Sequence, residues 1–261
     1  MAFAVIQGCM ACFCAYILGF QATPDRPIHG NLFIYTGLPN VILSNPLSPH
    51  SNKMEIQMIE VITRENRHEY NTEMEQMFRL RHKVFVEQLK WDLPLAEGGL
   101  ERDQFDTEDA IYLLSLNHQG NVNGSKRILP TIKPHLMSEL FPHMVAGEIP
   151  RGNHIWESSR SCISPDCRDS GIIGELFLAM VEVGLALSIQ QIIFVSSMAF
   201  YPTILHAGWG VVPLGFPEPD GTGQENIAAY LTINPVSLHN MRRNYQTHHS
   251  VLHQLPFNQV V

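Results

Sequence analysis

Between Arg81 and Arg160 the chain sets arginines and carboxylates at almost every landmark: Arg81 and Phe85, Trp91, then Glu101, Asp103, Phe105 and Asp106, then Arg127, then Glu157 and Arg160. Charged residues are only 16% of the chain, and charges avoid interiors unless they are paired or hold a charged ligand. Fixed opposite charges beside two aromatics suit a small zwitterionic substrate that carries a cation. Asp103 and Asp106 can aim both carboxylates inward from a loop, where attraction to a cation exceeds that in water; the plainer alternative is a solvated acidic loop. Phe85 and Trp91 either wall a cation, worth roughly 0.5–2 kcal/mol, or are core. Phe105 anchors its loop by burial. The planar forks of Arg81, Arg127 and Arg160 suit bidentate carboxylates. They bind a substrate carboxylate or lock Asp and Glu in place, and a lock abolishes activity when changed without touching substrate. Glu157 is the candidate general base, directly or through water. Its competing role is structural, as the partner of Arg127 or Arg160.

Five motifs stand in order: Arg81-x-x-x-Phe85, the downstream Trp91, Asp103-Gln-Phe-Asp106, Gly124-x-x-Arg127-x-Leu-Pro-Thr131 and Glu157-x-Ser-Arg160. Together, from about Met58 to Asn244, they resemble the LuxI-type acyl-homoserine lactone synthases, the autoinducer synthases of bacterial quorum sensing. The resemblance implies an α/β, acetyltransferase-like three-layer α-β-α sandwich whose mixed sheet splays to admit an acyl chain. It implies a reaction in which the amine of S-adenosyl-L-methionine takes the acyl group of an acylated carrier protein. The methionine carboxylate then closes the lactone and expels methylthioadenosine. No cofactor is expected, since S-adenosylmethionine is a substrate and phosphopantetheine arrives on the carrier. On this reading Asp103 and Asp106 serve the sulfonium substrate. A serine at Ser196 or Ser197 favours chains with an oxygen at the third carbon, and Lys133, Arg151 and Arg168 contact the acidic carrier. The acyl pocket is expected from Leu176, Phe177, Met180, Val181 and the strand Ile192 to Ser197. One departure is Ser161-Cys162 after Glu-x-Ser-Arg, where the family more often has an aromatic. Two other readings stay open: an N-acyltransferase using acyl-CoA, for which Arg168-Asp-Ser-Gly171-Ile-Ile-Gly174 is a loose pyrophosphate-loop echo, and a non-catalytic ligand binder.

These residues need a frame. Apolar periodicity predicts a strand over 60–63, a helix over about 68–88 that puts Arg81 and Phe85 on one face, and a long loop over 91–107. A hairpin of 110–116 with 124–129 follows, then a short helix over 136–141. The strand 155–161 should present Trp156, Ser158 and Arg160 on one side and Glu157 and Ser159 on the other, unless a bulge intervenes. A very apolar helix over 171–188, a strand over 191–197, a helix over 198–207, strands over 211–216 and 226–233 and a closing helix over 235–245 complete the domain.

The chain has 261 residues, 45% hydrophobic, enough for one substantial core. Net charge is −8, which argues against nucleic acid as principal partner; Lys126, Arg127, Lys133, Arg151, Arg168, Arg242 and Arg243 remain as local positive patches. Five cysteines, three of them near the start, make a poor disulfide framework. Cys9-x-x-Cys12 lacks a second zinc half, so no metal is expected. Cys162 and Cys167 have no evident partner base and fit a reducing cytoplasm. Residues 1–53, apolar at first and then proline-rich, read as extra sequence from an upstream start, with a membrane anchor or a folded extension as alternatives. The synthase domain is placed at 54–250, and 251–261 as a tail.

Overall fold

The computed structural model describes residues 58–167 and 171–256; the segment 1–53, with Cys9 and Cys12, and Arg168 lie outside them. The described chain runs β1 (Ile59–Ile62), α1 (Asn71–Arg81), β2 (Ile111–Leu116), β3 (Val122–Pro130), α2 (Leu136–Glu139), β4 (Ile155–Ile163), α3 (Ile172–Ala186), β5 (Gln191–Ser197), α4 (Tyr201–His206), β6 (Val211–Pro213), β7 (Glu218–Pro219), β8 (Glu225–Thr232) and α5 (Pro235–Asn244). The sheet has eight strands in the order β1-β2-β3-β4-β5-β8-β6, with β7 also on β8. All neighbours are antiparallel except β4 and β5. One face packs under α1 and the long loop, through Met77, Phe78, Phe85, Tyr112, Leu114 and Leu129. The other packs under α3, through Leu113, Ile128, Leu176, Phe177, Ile192 and Phe194. This is the expected three-layer α-β-α sandwich.

The sheet is splayed where it matters. The β4–β5 ladder holds only for Ile155, Trp156 and Glu157 opposite Gln191, Ile192 and Ile193; beyond Glu157 the strands part. Gly124, which opens one of the motifs, sits where β3 meets α3. A Cβ there would come within 2.6 Å of Ile172 Cγ2, so only glycine allows the helix to lie this close.

Three local features depart from simple periodicity. The expected continuous helix over 68–88 is a 3-10 turn (Arg67–Glu69), then α1, then a π-helical segment over His82–Gln88. In that segment Leu89 N–H donates to Val84 O, an i→i+5 bond, and the wider turn ends with Trp91 N–H on Phe85 O at 2.9 Å. Second, β4 is bulged. Arg127 pairs with Ser159 but Ser125 pairs with Cys162, so Arg160 and Ser161 together oppose Lys126. Arg160 takes φ +50°, and the extra residue breaks the two-residue alternation. Arg160 therefore joins Glu157 and Ser159 on the α1 face, not Trp156 and Ser158 as plain alternation predicts. Third, the chain past residue 250 is not all tail. Ile59 N–H donates to Val251 O at 2.7 Å, His253 N–H donates to Ile59 O at 3.0 Å, and Val251 and Leu252 are buried. Among the described residues no helix is long and apolar enough to cross a membrane.

Candidate active site

The residues of the five motifs do converge, and they converge on one another. Arg81 at the end of α1 donates from Nε to Glu101 and, as a fork, to both oxygens of Asp106 at 2.8 and 2.9 Å. Arg127 on β3 forks onto Asp103 at 2.6 and 3.0 Å and reaches Asp106 at 2.8 Å. Arg160, turned by the bulge, donates to Glu101 at 3.0 Å and to Asp103 at 2.8 Å. The six groups form a closed circuit in which each guanidinium touches two carboxylates and each carboxylate two guanidiniums. Tyr112 donates a further hydrogen bond to Asp106 at 2.8 Å. Burial disfavours the charged form of Asp106, but the Arg81 and Arg127 guanidiniums overcome it and hold its carboxyl far below the usual carboxylate range. Burial likewise opposes ionisation of Asp103, which Arg160 and Arg127 keep lowered.

The circuit fastens the long loop to the sheet. The loop also ties itself, with Phe105 N–H on Asp103 Oδ1 at 2.9 Å and Asp103 N–H on Asp106 Oδ2 at 2.8 Å. Asp103 and Asp106, expected to face a sulfonium, are thus engaged by arginines, and Arg81 and Arg127 are buried locks. Full charge compensation is what allows six ionised groups to sit in the interior. Of these six, Arg160 lines the cavity beside them.

That cavity has a volume of about 840 Å³ and passes through the gap between β4 and β5. On the α1 side it is walled by Phe85, Trp91, Gln104, Phe105 and Arg160; on the α3 side by Phe177, Met180, Phe194, Phe200, Ile204 and Trp209. Phe85 and Trp91 stack at 4.7 Å between ring centres and 14° between planes. The Arg160 guanidinium lies 5.7 Å from the Phe85 ring and 5.8 Å from that of Trp91. Trp91 Nε1 on this wall, and Ser161 Oγ elsewhere in the cavity lining, are buried without a hydrogen-bond partner. Leu176 and Val181, expected in the acyl wall, are not part of it. Phe177 and Met180 share the helix face turned to the cavity, whereas Leu176 lies over β3, its Cδ1 3.3 Å from where a Cβ on Gly124 would sit, just behind Ile172.

Glu157 also borders the cavity. It accepts from Leu136 N–H at 2.9 Å, Met137 N–H at 2.7 Å and faces His135 Nδ1 at 3.1 Å. The expected partners Arg127 and Arg160 are replaced by the N-terminus of α2, a favourable place for a carboxylate. Ser196 and Ser197 both line the cavity. Ser196 shares the α3 face with Phe194, while the Ser197 hydroxyl accepts from Phe200 N–H at 3.4 Å at the turn into α4. Of the basic residues expected to meet a carrier, Arg151 is exposed and Lys133 pairs with Asp109. Lys126 and Arg127, expected in a surface patch, are buried. Burial pushes the Cys162 thiol up to about 11, so it is no nucleophile near neutrality.

Sequence reasoning assigned no role to Glu101, Tyr112 or His135, and gave Lys126 only a place in a surface patch. Glu101 stood within the charged stretch and completes the circuit. Lys126 had a legible sign: on a strand, the neighbour of a buried Arg127 must point to the opposite, apolar face. Nothing in the sequence marks His135 as the neighbour of Glu157.

The sequence model of the autoinducer synthase family matches residues 65–243. Over 161 residues the chain is 40% identical to the isovaleryl-homoserine lactone synthase of Bradyrhizobium diazoefficiens, covering 61% of this chain and 73% of that protein. Among solved structures it is similar to BjaI, a CoA-dependent acyl-homoserine lactone synthase seen with SAM and isopentyl-CoA. The TM-score is 0.70 and the identity 36%, over 74% of this chain and 91% of that one. It is also similar to MesI, another CoA-dependent acyl-homoserine lactone synthase, with TM-score 0.69 and 33% identity, over 75% of this chain and 98% of that one. With its charged circuit, split sheet and through-going cavity, this chain belongs to the autoinducer synthase family and is an acyltransferase, an acyl-homoserine-lactone synthase.

Proposed function

We propose that the α1 side of the cavity holds S-adenosyl-L-methionine, that the α3 side holds the acyl chain of acyl-CoA, and that the amide forms in the gap where β4 and β5 part. One observation carries this reading. A single cavity joins a wall of stacked Phe85 and Trp91 beside Arg160 to an apolar wall on the other face of the sheet. The aromatic faces attract the sulfonium, and Arg160 extends its guanidinium toward the methionine carboxylate. Trp91 Nε1 supplies a further polar contact to the nucleotide. The amine nitrogen attacks the thioester carbon and coenzyme A leaves as thiol, taking up the proton that the amine loses. The methionine carboxylate oxygen then displaces sulfur from the adjacent carbon, and the C–S electron pair neutralises the sulfonium as methylthioadenosine departs.

No strong base is required for the first step. An α-amine has a pKa of about 7.7–8.0, so a fair share is already unprotonated near neutrality. Glu157, with three donors already around its two oxygens, is the positioning residue that fixes α2 against β4 at the cavity edge. Coenzyme A is favoured as acyl carrier because the similar BjaI and MesI are CoA-dependent. An acyl carrier protein is the second donor, and exposed Arg151 is the basic residue for it. The test is incubation of the purified protein with S-adenosylmethionine and either acyl-CoA or acylated carrier protein. Homoserine lactone plus methylthioadenosine from acyl-CoA is the expected outcome. Product only from the carrier protein would reverse the choice of donor, and acyl transfer to other amines without lactone would overturn the reading.

A further inference from the structure

The α3 wall of the cavity contains one residue that a purely hydrocarbon chain does not need. Lys126 on β3 is 4% exposed and lines the cavity. Its Nζ donates to Ser158 Oγ at 3.1 Å and lies 5.1 Å from the Phe177 ring centre. No carboxylate of the described residues lies within salt-bridge distance of it, in contrast to the fully compensated Arg127 on the other face of the same strand. An ammonium has three donors, and one hydroxyl and one aromatic face leave it under-satisfied. Its surroundings are the side chains that form the acyl wall: Phe177 and Met180 from α3, with Ser158 from β4. Burial alone pushes this ammonium down to about 7, the mark of a charge with little to compensate it.

We propose that Lys126, held by Ser158, is a specificity-determining residue of the acyl subsite, and that it selects acyl chains bearing an acceptor oxygen over unsubstituted chains of the same length. The proposal rests on the synthase reading above. An alkyl chain against this wall covers the ammonium without a partner, which is costly, whereas a carbonyl, hydroxyl or carboxylate oxygen accepts its free N–H. Rejection of the analogue that lacks the oxygen follows from leaving a buried polar group unpaired. The shared chemistry is an oxygen acceptor on the acyl group; whether it is neutral or anionic is read from the substrates.

The experiment compares length-matched acyl-CoA thioesters, unsubstituted, oxo or hydroxy, and carboxylate-bearing, each with S-adenosylmethionine, for the wild-type protein and for Lys126→Met. The readout is the ratio of kcat/KM for an oxygenated chain to that for its unsubstituted match, which cancels any loss of active protein. In the wild type the ratio should favour one oxygenated class. It should fall on the order of tenfold in Lys126→Met, the value of one hydrogen bond to a charged donor. Preference for the carboxylate identifies an anionic ligand, and preference for oxo or hydroxy a neutral one. A ratio unchanged by the substitution, or a wild type that prefers the unsubstituted chain throughout, overturns the proposal while leaving lactone synthesis intact. Absence of lactone from every thioester, whether of coenzyme A or of the acyl carrier protein, overturns the underlying reading instead; product from the carrier protein alone moves the same comparison to carrier-protein thioesters. Should Lys126→Met fail to fold, Lys126→Ala makes the same comparison, because it only enlarges a cavity already open at that point.

Discussion

Each guanidinium of the charged circuit is held by two carboxylates, so the six residues act as one unit. Arg81, Arg127, Asp103 and Asp106 secure the loop that carries Phe105 and help fix the wall on which Trp91 sits, while Arg160 extends from the circuit to the cavity. Asp106→Asn leaves Arg81 and Arg127 facing a neutral amide in the interior. Breaking such a pair costs about 3–5 kcal/mol, so chemical denaturation should show a loss of that order, with synthase activity lost in parallel; wild-type stability would contradict the circuit's role. Trp91→Ala acts differently. On the proposed reading it removes one face for the sulfonium and should raise KM for S-adenosylmethionine roughly tenfold, from a cation–π contribution of about 1–2 kcal/mol, as initial-rate kinetics can establish. For Lys126 the pH dependence has a definite sign. Its folded value of about 7 lies below the ordinary 10.5, so between these values the unfolded chain binds the extra proton. Stability through this residue therefore rises with pH across that window, and the cost is greatest at and below its lower end. Lys126→Met should accordingly melt higher than wild type near the lower end of the window, with the advantage shrinking toward the upper end; a pH-independent difference would argue against a buried, weakly compensated ammonium.

Two irregular elements set the direction of the key side chains. The π-helical segment after α1 delivers Phe85 to Trp91, and the bulge in β4 turns Arg160 onto the face that carries Arg127 and Ser159. In a regular strand Arg160 would point with Ser158 toward α3 and leave Glu101 and Asp103 each short of a partner. Strand and helix positions were legible from apolar spacing because both faces of this sheet are covered. The irregularities were not, because a bulge or a π turn shifts side chains by one residue without altering the apolar pattern around it. Gly124 shows how closely the layers approach: Gly124→Ala drives a methyl into Ile172 Cγ2. Such overpacking should destabilise by about 1–3 kcal/mol, measurable as a lowered denaturation midpoint, and an unchanged midpoint would mean that α3 shifts without cost.

On the scale of the whole molecule, the cavity joins the two faces of the sheet because β4 and β5 separate after Glu157, and the end of the described chain ties the far edge. Glu182 of α3 accepts from Arg242 at 2.8 Å, from Ser250 Oγ at 2.6 Å and from Val251 N–H at 3.2 Å, while the next residues pair with β1. Removing residues 250–261 strips the edge hydrogen bonds and takes away buried Val251 and Leu252, uncovering the apolar residues they pack on. A melting temperature lower by roughly 5–10 °C is expected from the lost burial, with KM for S-adenosylmethionine unchanged in the folded fraction. The order of the motifs, the layered α/β class and the family were all readable from the linear chain, since they depend on residue type and spacing. So was the choice facing each arginine, between gripping substrate and locking a carboxylate. What only the fold decided is which carboxylates each arginine meets, through contacts between residues far apart in the chain: Arg81 with Glu101 and Asp106, Arg127 with Asp103 and Asp106, and Arg160 with Glu101 and Asp103 while still bordering the cavity; it likewise set Glu157 at the start of α2. Whether a buried charge meets another charge, a ligand or only a hydroxyl, as at Lys126, depends on which side chains the folded layers bring within about 3 Å, the length of a hydrogen bond.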